Sequence, residues 1–253
     1  MPPTFRKSSR SAPAGYFAWE AAGLTWLAAA RGAAVVEVLA FSETHLELAR
    51  LLPASPSPSA AEAFGADLAR THAAGAPAYG APPDGWDGDG FFGPLSDPLP
   101  LRLRPTTTWA EHAARNLIEP ITRRCRDAGV FGPDDSALLD RVAAGLDRHD
   151  PGGPPARIHG DLWSGNVMWT DAGAVLIDPA AHGGHPETDL AMLALFGAPN
   201  LSTILAAYQA VTPLVDGWRE RVALHQIYPL AVHALLFGGG YAAQTLTAAR
   251  RYS

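Results

Sequence analysis

Apolar and polar positions alternate with helical spacing near the start of the chain. Hydrophobic side chains recur every three to four positions at Phe17, Ala21 and Leu24, which is the period of one face of a helix. The pattern therefore predicts a helix over residues 15–31, and this helix carries Glu20.

Shorter patterns follow this helix. Alternating or β-branched stretches at residues 35–40 and 45–51 predict strands. The segment PASPSPS, residues 53–59, then interrupts regular structure, because each proline lacks a backbone donor. We interpret it as a linker between a small N-terminal part, residues 1–52, and a larger part, residues 53–253.

The larger part is predominantly helical in its pattern. Two capping boxes, Ser59 with Glu62 and Thr108 with Glu111, start predicted helices, and Pro120 predicts a kink in the second. The predicted helices cover residues 59–72, 108–127, 134–148, 188–196, 202–211, 217–237 and 241–250.

Two segments of this part are not helical. Residues 74–105 are rich in glycine and proline and predict a long loop, in which GFFGP, residues 90–94, is the part we expect to be held in place. Residues 167–170 and 174–177 predict two paired strands joined by the turn Asp171-Ala172-Gly173.

Composition narrows the class of protein. Of the 253 residues 47% are hydrophobic, enough for a real core, and 25 acidic residues exceed 19 basic ones, with no basic stripe. We therefore expect a small-molecule partner and no nucleic acid. Cys125 is the single cysteine, the first residues contain no apolar signal segment, and no apolar run reaches the ~20 residues of a membrane span. These features predict a cytoplasmic protein without a membrane partner.

The predicted hairpin carries the candidate chemistry. Pairing its strands brings Asp161 and Asn166 close to Asp178. Carboxylate and amide oxygens are hard ligands that suit Mg²⁺, and a carboxylate not bound to metal can deprotonate a hydroxyl. Phosphoryl transfer needs such a base and metal site, together with a lysine for nucleotide phosphates held by a helix glutamate. Lys7 is the only lysine among the 19 basic residues.

These motifs resemble a known family. HGDLWSGN, residues 159–166, and IDPA, residues 177–180, are similar to the catalytic and metal-binding segments of the fructosamine (ketosamine) kinases. That family shares a protein-kinase-like fold with aminoglycoside phosphotransferases and choline kinases. The resemblance extends over almost the whole chain, and Trp163 together with IDPA favours this branch. It implies an α+β, protein-kinase-like two-lobe fold with a small N-terminal lobe and a large, mostly helical C-terminal lobe.

The resemblance also implies roles for individual residues and the cofactors ATP and Mg²⁺. Asp161 would accept the proton of the sugar hydroxyl, and Trp163 would offer a flat face to the substrate. The metal ligands would be Asn166 and Asp178. The remaining roles are nucleotide binding by Lys7, Glu20 and the hinge residues Ala49 to Leu51, and support of the catalytic loop by His159 and Asp189.

The N-terminal lobe departs from the family pattern. Family members have two strands and a glycine-containing turn ahead of the lysine strand, and six residues before Lys7 cannot form them. We therefore expect a lobe that lacks its first two strands and exposes a sheet edge through which the protein can form a homo-oligomer. Ala49 also stands where an acidic hinge residue is usual.

The function implied is ATP-dependent phosphorylation of a sugar-amine adduct, a ketosamine of the fructosamine or ribulosamine type, as in deglycation. Two alternatives remain open: a small-molecule kinase of the aminoglycoside or choline kinase type, and a non-catalytic kinase-like binding protein. His182 and His185 do not predict zinc, because no third ligand is evident beside them.

Overall fold

The computed structural model describes residues 3–253. The elements of the N-terminal part are β1 (Thr4–Ser8), α1 (Tyr16–Ala29), β2 (Ala34–Val35), β3 (Val38–Phe41) and β4 (His45–Ala49). Three of the strands form an antiparallel sheet in the order β1-β4-β3, packed against helix α1. Strand β1 lies at the edge and pairs, among the described residues, with β4 alone, so self-association through this edge stays a prediction.

Burial explains the packing of α1 on the sheet. Leu46 and Leu48 alternate with more exposed positions in β4 and lie in one core cluster with Phe17 and Leu24 of the helix. The helix is buried on most sides, and Glu20 is 3% exposed. A carboxylate is rarely buried to this degree unless it is paired, and its partner is described with the site below.

The C-terminal part is mostly helical and also contains three strand pairs. Strands β5 and β6, β7 and β10, and β8 and β9 pair with each other in antiparallel fashion. The strands are β5 (Gly90–Phe92), β6 (Leu99–Leu101), β7 (Ala156–Ile158), β8 (Val167–Thr170), β9 (Gly173–Leu176) and β10 (His182–Gly184). The helices are α2 (Pro58–Ala73), α3 (Trp109–His112), α4 (Glu119–Asp127), α5 (Pro133–Ala144), α6 (Pro186–Leu195), α7 (Leu201–Val211), α8 (Trp218–His225), α9 (Ile227–Phe237) and α10 (Tyr241–Ala249).

Strand β2 connects the two parts of the molecule. It pairs in parallel with β9, with Ala34 opposite Val175, and the Val36 amide donates to the Leu176 carbonyl at 3.0 Å. The candidate hairpin is thereby attached to the segment that follows α1. Division of the chain at residue 52 into two lobes remains a proposal.

Several predicted boundaries of helices and loops differ from those of the structure. Helix α2 is capped by Ser57, whose hydroxyl accepts from the Ala60 amide at 3.1 Å, and not by Ser59. The loop over residues 74–105 contains the β5–β6 hairpin, in which GFF is a strand. The helix predicted over 217–237 is two helices, which meet at Gln226.

The predicted kink near Pro120 has a different form. Thr108 caps α3 as expected, but a π-helical turn, Ala113–Ile118, then separates α3 from α4. Pro120 lies in the first turn of α4, directly after the π-helical turn, and has no backbone amide to donate to that turn. Among the described residues, no helix combines the length and apolarity needed to cross a membrane.

Candidate active site

The β8–β9 hairpin brings the three predicted oxygen-bearing residues together. Its register pairs Val167 with Leu176, and the Ile177 amide then donates to the Asn166 carbonyl at 3.1 Å. The side-chain nitrogen of Asn166 donates to the main-chain oxygens of Asp161, at 2.8 Å, and of Asp178, at 3.3 Å. Asp178 adopts a left-handed backbone, with φ of 51°. Such a conformation is uncommon outside glycine and asparagine, and it occurs here at the turn out of β9.

Lys7 joins the N-terminal sheet to this group. Its Nζ lies 2.9 Å from Oε2 of Glu20 and 3.3 Å from Oδ1 of Asp178. Burial by itself would lower the pKa of Lys7, but the carboxylates of Glu20 and Asp178 outweigh burial and raise the pKa above its usual range. Lys7 therefore remains a cation at neutral pH, positioned between α1 and the hairpin.

The carboxyl group of Asp161 has a raised pKa. Burial raises its pKa to about 7, the hydrogen bond from Asn166 opposes that rise, and the charges of Asp178 and Asp189 add to it. The Asn166 amide lies 3.2 Å from Oδ2 of Asp161. A carboxyl with a pKa near neutrality is suited to accept and release a proton at physiological pH.

A buried network holds the backbone beside Asp161. Asp189 accepts from the amides of His159 at 2.8 Å and Gly160 at 2.9 Å, and His159 Nε2 contacts the Ile177 carbonyl at 2.9 Å. Burial would raise the pKa of Asp189, but its hydrogen bonds and the neighbouring histidines hold it below its usual range. Gly160 is needed at this point because a Cβ there would lie 2.2 Å from the Ala180 carbonyl oxygen.

Sequence reasoning missed two residues of this network. His72 of α2 contacts Oδ2 of Asp189 through Nε2 at 3.0 Å and the Tyr208 hydroxyl through Nδ1 at 2.9 Å. All three side chains are buried. The contacts span 117 and 136 positions of sequence, so no local spacing could have indicated them.

The predicted hinge residues lie at the end of β4. The Ala49 amide donates to the Glu37 carbonyl, and the Arg50 amide to the Pro3 carbonyl, both at 2.9 Å. These two donors are thus occupied within the sheet, which leaves the Ala49 carbonyl and Leu51 as the candidate adenine contacts. Phe5 is 53% exposed. It stands two positions before Lys7 on β1 and so shares its face of the sheet.

An open cavity of about 350 Å³ is lined by Lys7, Asp161 and Asp178 and by apolar side chains. Trp163, 40% exposed, forms one wall, and its ring lies edge-on to Phe196. The His233 ring is tilted against the rings of Phe196 and Phe237, with centroids 4.9 and 5.3 Å away, and its Nδ1 lies 2.7 Å from the Pro229 carbonyl. Nδ1 therefore carries the proton in the neutral ring. The segment Phe91–Leu95 closes another side.

His233, Leu236 and Phe237 were not among the predicted site residues. The sequence placed them only in the predicted helix over residues 217–237, and in the structure the C-terminal end of α9 borders the cavity. Phe237 is 59% exposed, which is unusual for a large apolar side chain in a core helix.

The two histidines of the segment HGGH, residues 182–185, lie in different surroundings. His182 Nδ1 contacts the Ala180 carbonyl at 2.7 Å, whereas His185 lies with Glu187 and His225 in a buried group whose ligand atoms are within 4.8 Å of one another. The expectation that no third ligand lies nearby is wrong. Arg221, however, binds both oxygens of Glu187, at 2.8 and 2.6 Å. The carboxylate is therefore neutralised without a metal, and we interpret the group as a buried ion pair with two neutral histidines.

Comparison with known proteins agrees with this arrangement. The fructosamine kinase family model matches residues 2–252. The chain belongs to the fructosamine kinase family. A probable ketoamine kinase of Synechocystis is 35% identical over 72% of this chain and 58% of its own length. The chain thus spans less than two thirds of that relative.

Solved structures confirm the predicted fold class. A fructosamine-3-kinase-like protein of Thermobifida fusca superposes with a TM-score of 0.91 at 46% identity, covering 99% of this chain and 85% of the other. A type I macrolide 2′-phosphotransferase reaches a TM-score of 0.61 at 18% identity over 99% and 83% of the two chains. The second likeness shows the fold alone. The α+β, protein-kinase-like fold of this fructosamine kinase family member is thereby confirmed.

Proposed function

We propose that this protein transfers the γ-phosphoryl group of Mg·ATP to a hydroxyl of a ketosamine. The observation that carries the proposal is the convergence of Asp161, Asn166 and Asp178 with the Lys7–Glu20 ion pair on one cavity. Family membership supports it, and the sugar-amine class of acceptor comes from the relatives named above.

The oxygen atoms of the site fit a magnesium ion. Because the Asn166 amide nitrogen donates to oxygens of Asp161 and Asp178, Oδ1 of Asn166 is left as an acceptor. Asp178 is 47% exposed in its side chain and keeps Oδ2 beyond the contact with Lys7. Asn166 and Asp178 would hold the ion, which when bound would neutralise charge on the nucleotide phosphates.

Other residues of the chain have the remaining roles in proton transfer, nucleotide binding and acceptor binding. Asp161 accepts the proton of the attacking hydroxyl, and Lys7, oriented by Glu20, contacts the phosphates. Phe5 and the segment after Ala49 border the adenine. Trp163 and the neighbouring aromatic side chains orient the sugar-amine, whose protonated nitrogen is attracted to ring faces.

The test is a comparison of acceptors. We expect purified protein with Mg·ATP to phosphorylate fructosyl-lysine or ribulosyl-lysine, detected by mass spectrometry, and to leave choline and aminoglycosides unchanged. Turnover of choline or an aminoglycoside without any ketosamine would assign the site to the other small-molecule kinases. Absence of transfer to every acceptor, with ligand binding retained, would instead support a non-catalytic binding protein.

A further inference from the structure

A second open cavity lies outside the site described above. It has a volume of about 710 Å³ and is lined by three arginines, Arg102, Arg123 and Arg124, which are all exposed. Pro100, Pro120 and Leu235 supply apolar surface between them. We call this surface the arginine groove.

The charge of the groove is unbalanced. Its two acidic residues are already paired, Asp89 with Arg104 and Asp127 with Arg126. Within residues 3–253, none of the three groove arginines forms a salt bridge. The chain as a whole carries a net charge of −6, so this is a local basic surface on an acidic protein. Such a surface selects anionic partners.

The groove and the active-site cavity share their dividing wall. On the β5–β6 hairpin, Phe91 and Phe92 border the active-site cavity, whereas Pro100 and Arg102 border the groove. On α9, Leu236 borders the active-site cavity, and the preceding residue, Leu235, borders the groove. A ligand extending over this wall therefore reaches both surfaces.

We propose that the arginine groove binds the acidic side chains of a glycated polypeptide whose ketosamine occupies the active-site cavity. The inference rests on the proposed function and specifies its substrate class. The active-site cavity presents aromatic ring faces, among them Trp163 and Phe237, to the cationic amine, and the groove presents guanidinium groups to neighbouring glutamates or aspartates. The size of the groove, its apolar surface and its exposed arginines suit an extended peptide better than one small anion, which would need convergent buried donors.

The experiment compares peptides glycated on one lysine and flanked by Glu, by Gln or by Lys, with free fructosyl-lysine as the small substrate. At low ionic strength we expect kcat/KM to be highest for the Glu-flanked peptide. The triple variant R102Q/R123Q/R124Q should lose about tenfold on that peptide, as three exposed ionic contacts predict, and should keep its rate on fructosyl-lysine. High salt should remove the difference between peptides.

The matched control removes the same charge elsewhere. Arg141, Arg250 and Arg251 are exposed, and R141Q/R250Q/R251Q should leave the peptide preference intact. An equal loss in this control, or equal kcat/KM on the Glu and Gln peptides, overturns the proposal. Inhibition of fructosyl-lysine turnover by inorganic phosphate that depends on the groove arginines, without any peptide preference, also overturns it and assigns the groove to a small anion.

Failure of the proposed function would give a different experimental result from failure of the groove proposal. If neither fructosyl-lysine nor ribulosyl-lysine is phosphorylated, that function is wrong, and the groove is then tested by fluorescence anisotropy with a labelled Glu-rich peptide. Binding lost in R102Q/R123Q/R124Q and kept in the control supports the groove, and binding unchanged in both overturns it.

Discussion

At the scale of single residues, Asp161 shows how burial and chemistry are connected. A carboxylate this strongly desolvated is costly to ionise, which is why burial raises its pKa to about 7. The folded protein therefore binds this proton more tightly than the unfolded chain does. Its stabilising contribution is fully present below the ordinary pKa of 3.8 and is lost as the pH rises through about 7.

The variant Asp161→Asn tests both the role of Asp161 as the proton acceptor and the effect of its raised pKa on stability. Phosphoryl transfer should fall by about 10²–10⁴-fold, because the proton acceptor is lost. The free energy of unfolding of the variant relative to the wild type should increase between pH 5 and pH 8 in the absence of metal, because only the wild type must ionise this partly buried carboxyl. Urea denaturation at the two pH values measures the second effect. A variant that retains most of the transfer rate would show that Asp161 is not the base.

Trp163 provides a second prediction at the residue scale. Trp163→Ala should raise KM and lower kcat for a ketosamine more than it lowers background ATP hydrolysis, because the ring positions the acceptor and not the nucleotide. Trp163→Phe keeps a flat face and should recover much of the loss.

Gly165 offers an independent test of the same ring. A Cβ at this position would lie 2.2 Å from the Trp163 ring, so Gly165→Ala should displace the indole and reproduce the selective effect. Equal losses in transfer and hydrolysis in both Trp163→Ala and Gly165→Ala would indicate a structural tryptophan.

At the scale of elements, the loop that carries Asp161, the proposed base, depends on helices distant in sequence. Asp189 of α6 accepts from the loop amides, His72 of α2 contacts Asp189, and Tyr208 of α7 contacts His72. His72→Leu removes a hydrogen bond to a buried carboxylate, and we expect a loss of about 1–3 kcal/mol in unfolding free energy. We also expect a lower kcat with little change in the KM for ATP, because the loop carries the base.

The matched variant for this prediction is Tyr208→Phe, which leaves the His72–Asp189 contact in place. It should cost less stability than His72→Leu and retain more of kcat. If His72→Leu loses stability but keeps the wild-type kcat, the histidine supports the fold and not the loop.

The same elements show what the sequence could and could not predict. The hairpin was predictable because its turn and strands are contiguous, and its pairing fixes the proximity of Asn166 and Asp178. The helix cap at Ser57 was misplaced by two residues because Ser57 and Ser59 are chemically equivalent candidates in the same proline-rich segment. His72 and Tyr208 were missed because their partners come from packing of distant helices, which leaves no local pattern. His233 was missed because the cavity that it borders is formed by segments distant in sequence.

At the scale of the whole molecule, the proposed nucleotide site is divided between the two parts of the chain. Lys7 and Glu20 belong to the N-terminal sheet and α1, whereas Asn166 and Asp178 belong to the hairpin. The Lys7–Asp178 contact at 3.3 Å and the β2–β9 pairing connect the parts. A ligand held from both sides should therefore stabilise the entire fold and not one part alone.

Mg·ATP should raise the melting temperature of the protein in one cooperative transition. At a nucleotide concentration of about 100 times Kd the gain is about 2.7 kcal/mol, which for a chain of this size corresponds to a shift of about 5–10 °C. Lys7→Met removes a phosphate contact from one part and Asp178→Asn a metal ligand from the other, so each should reduce the shift at a fixed nucleotide concentration. Removal of magnesium should abolish the difference between wild type and Asp178→Asn but retain part of that between wild type and Lys7→Met, since the lysine contacts phosphate directly. Differential scanning calorimetry measures all of these shifts, and a full shift in both variants would place the nucleotide elsewhere.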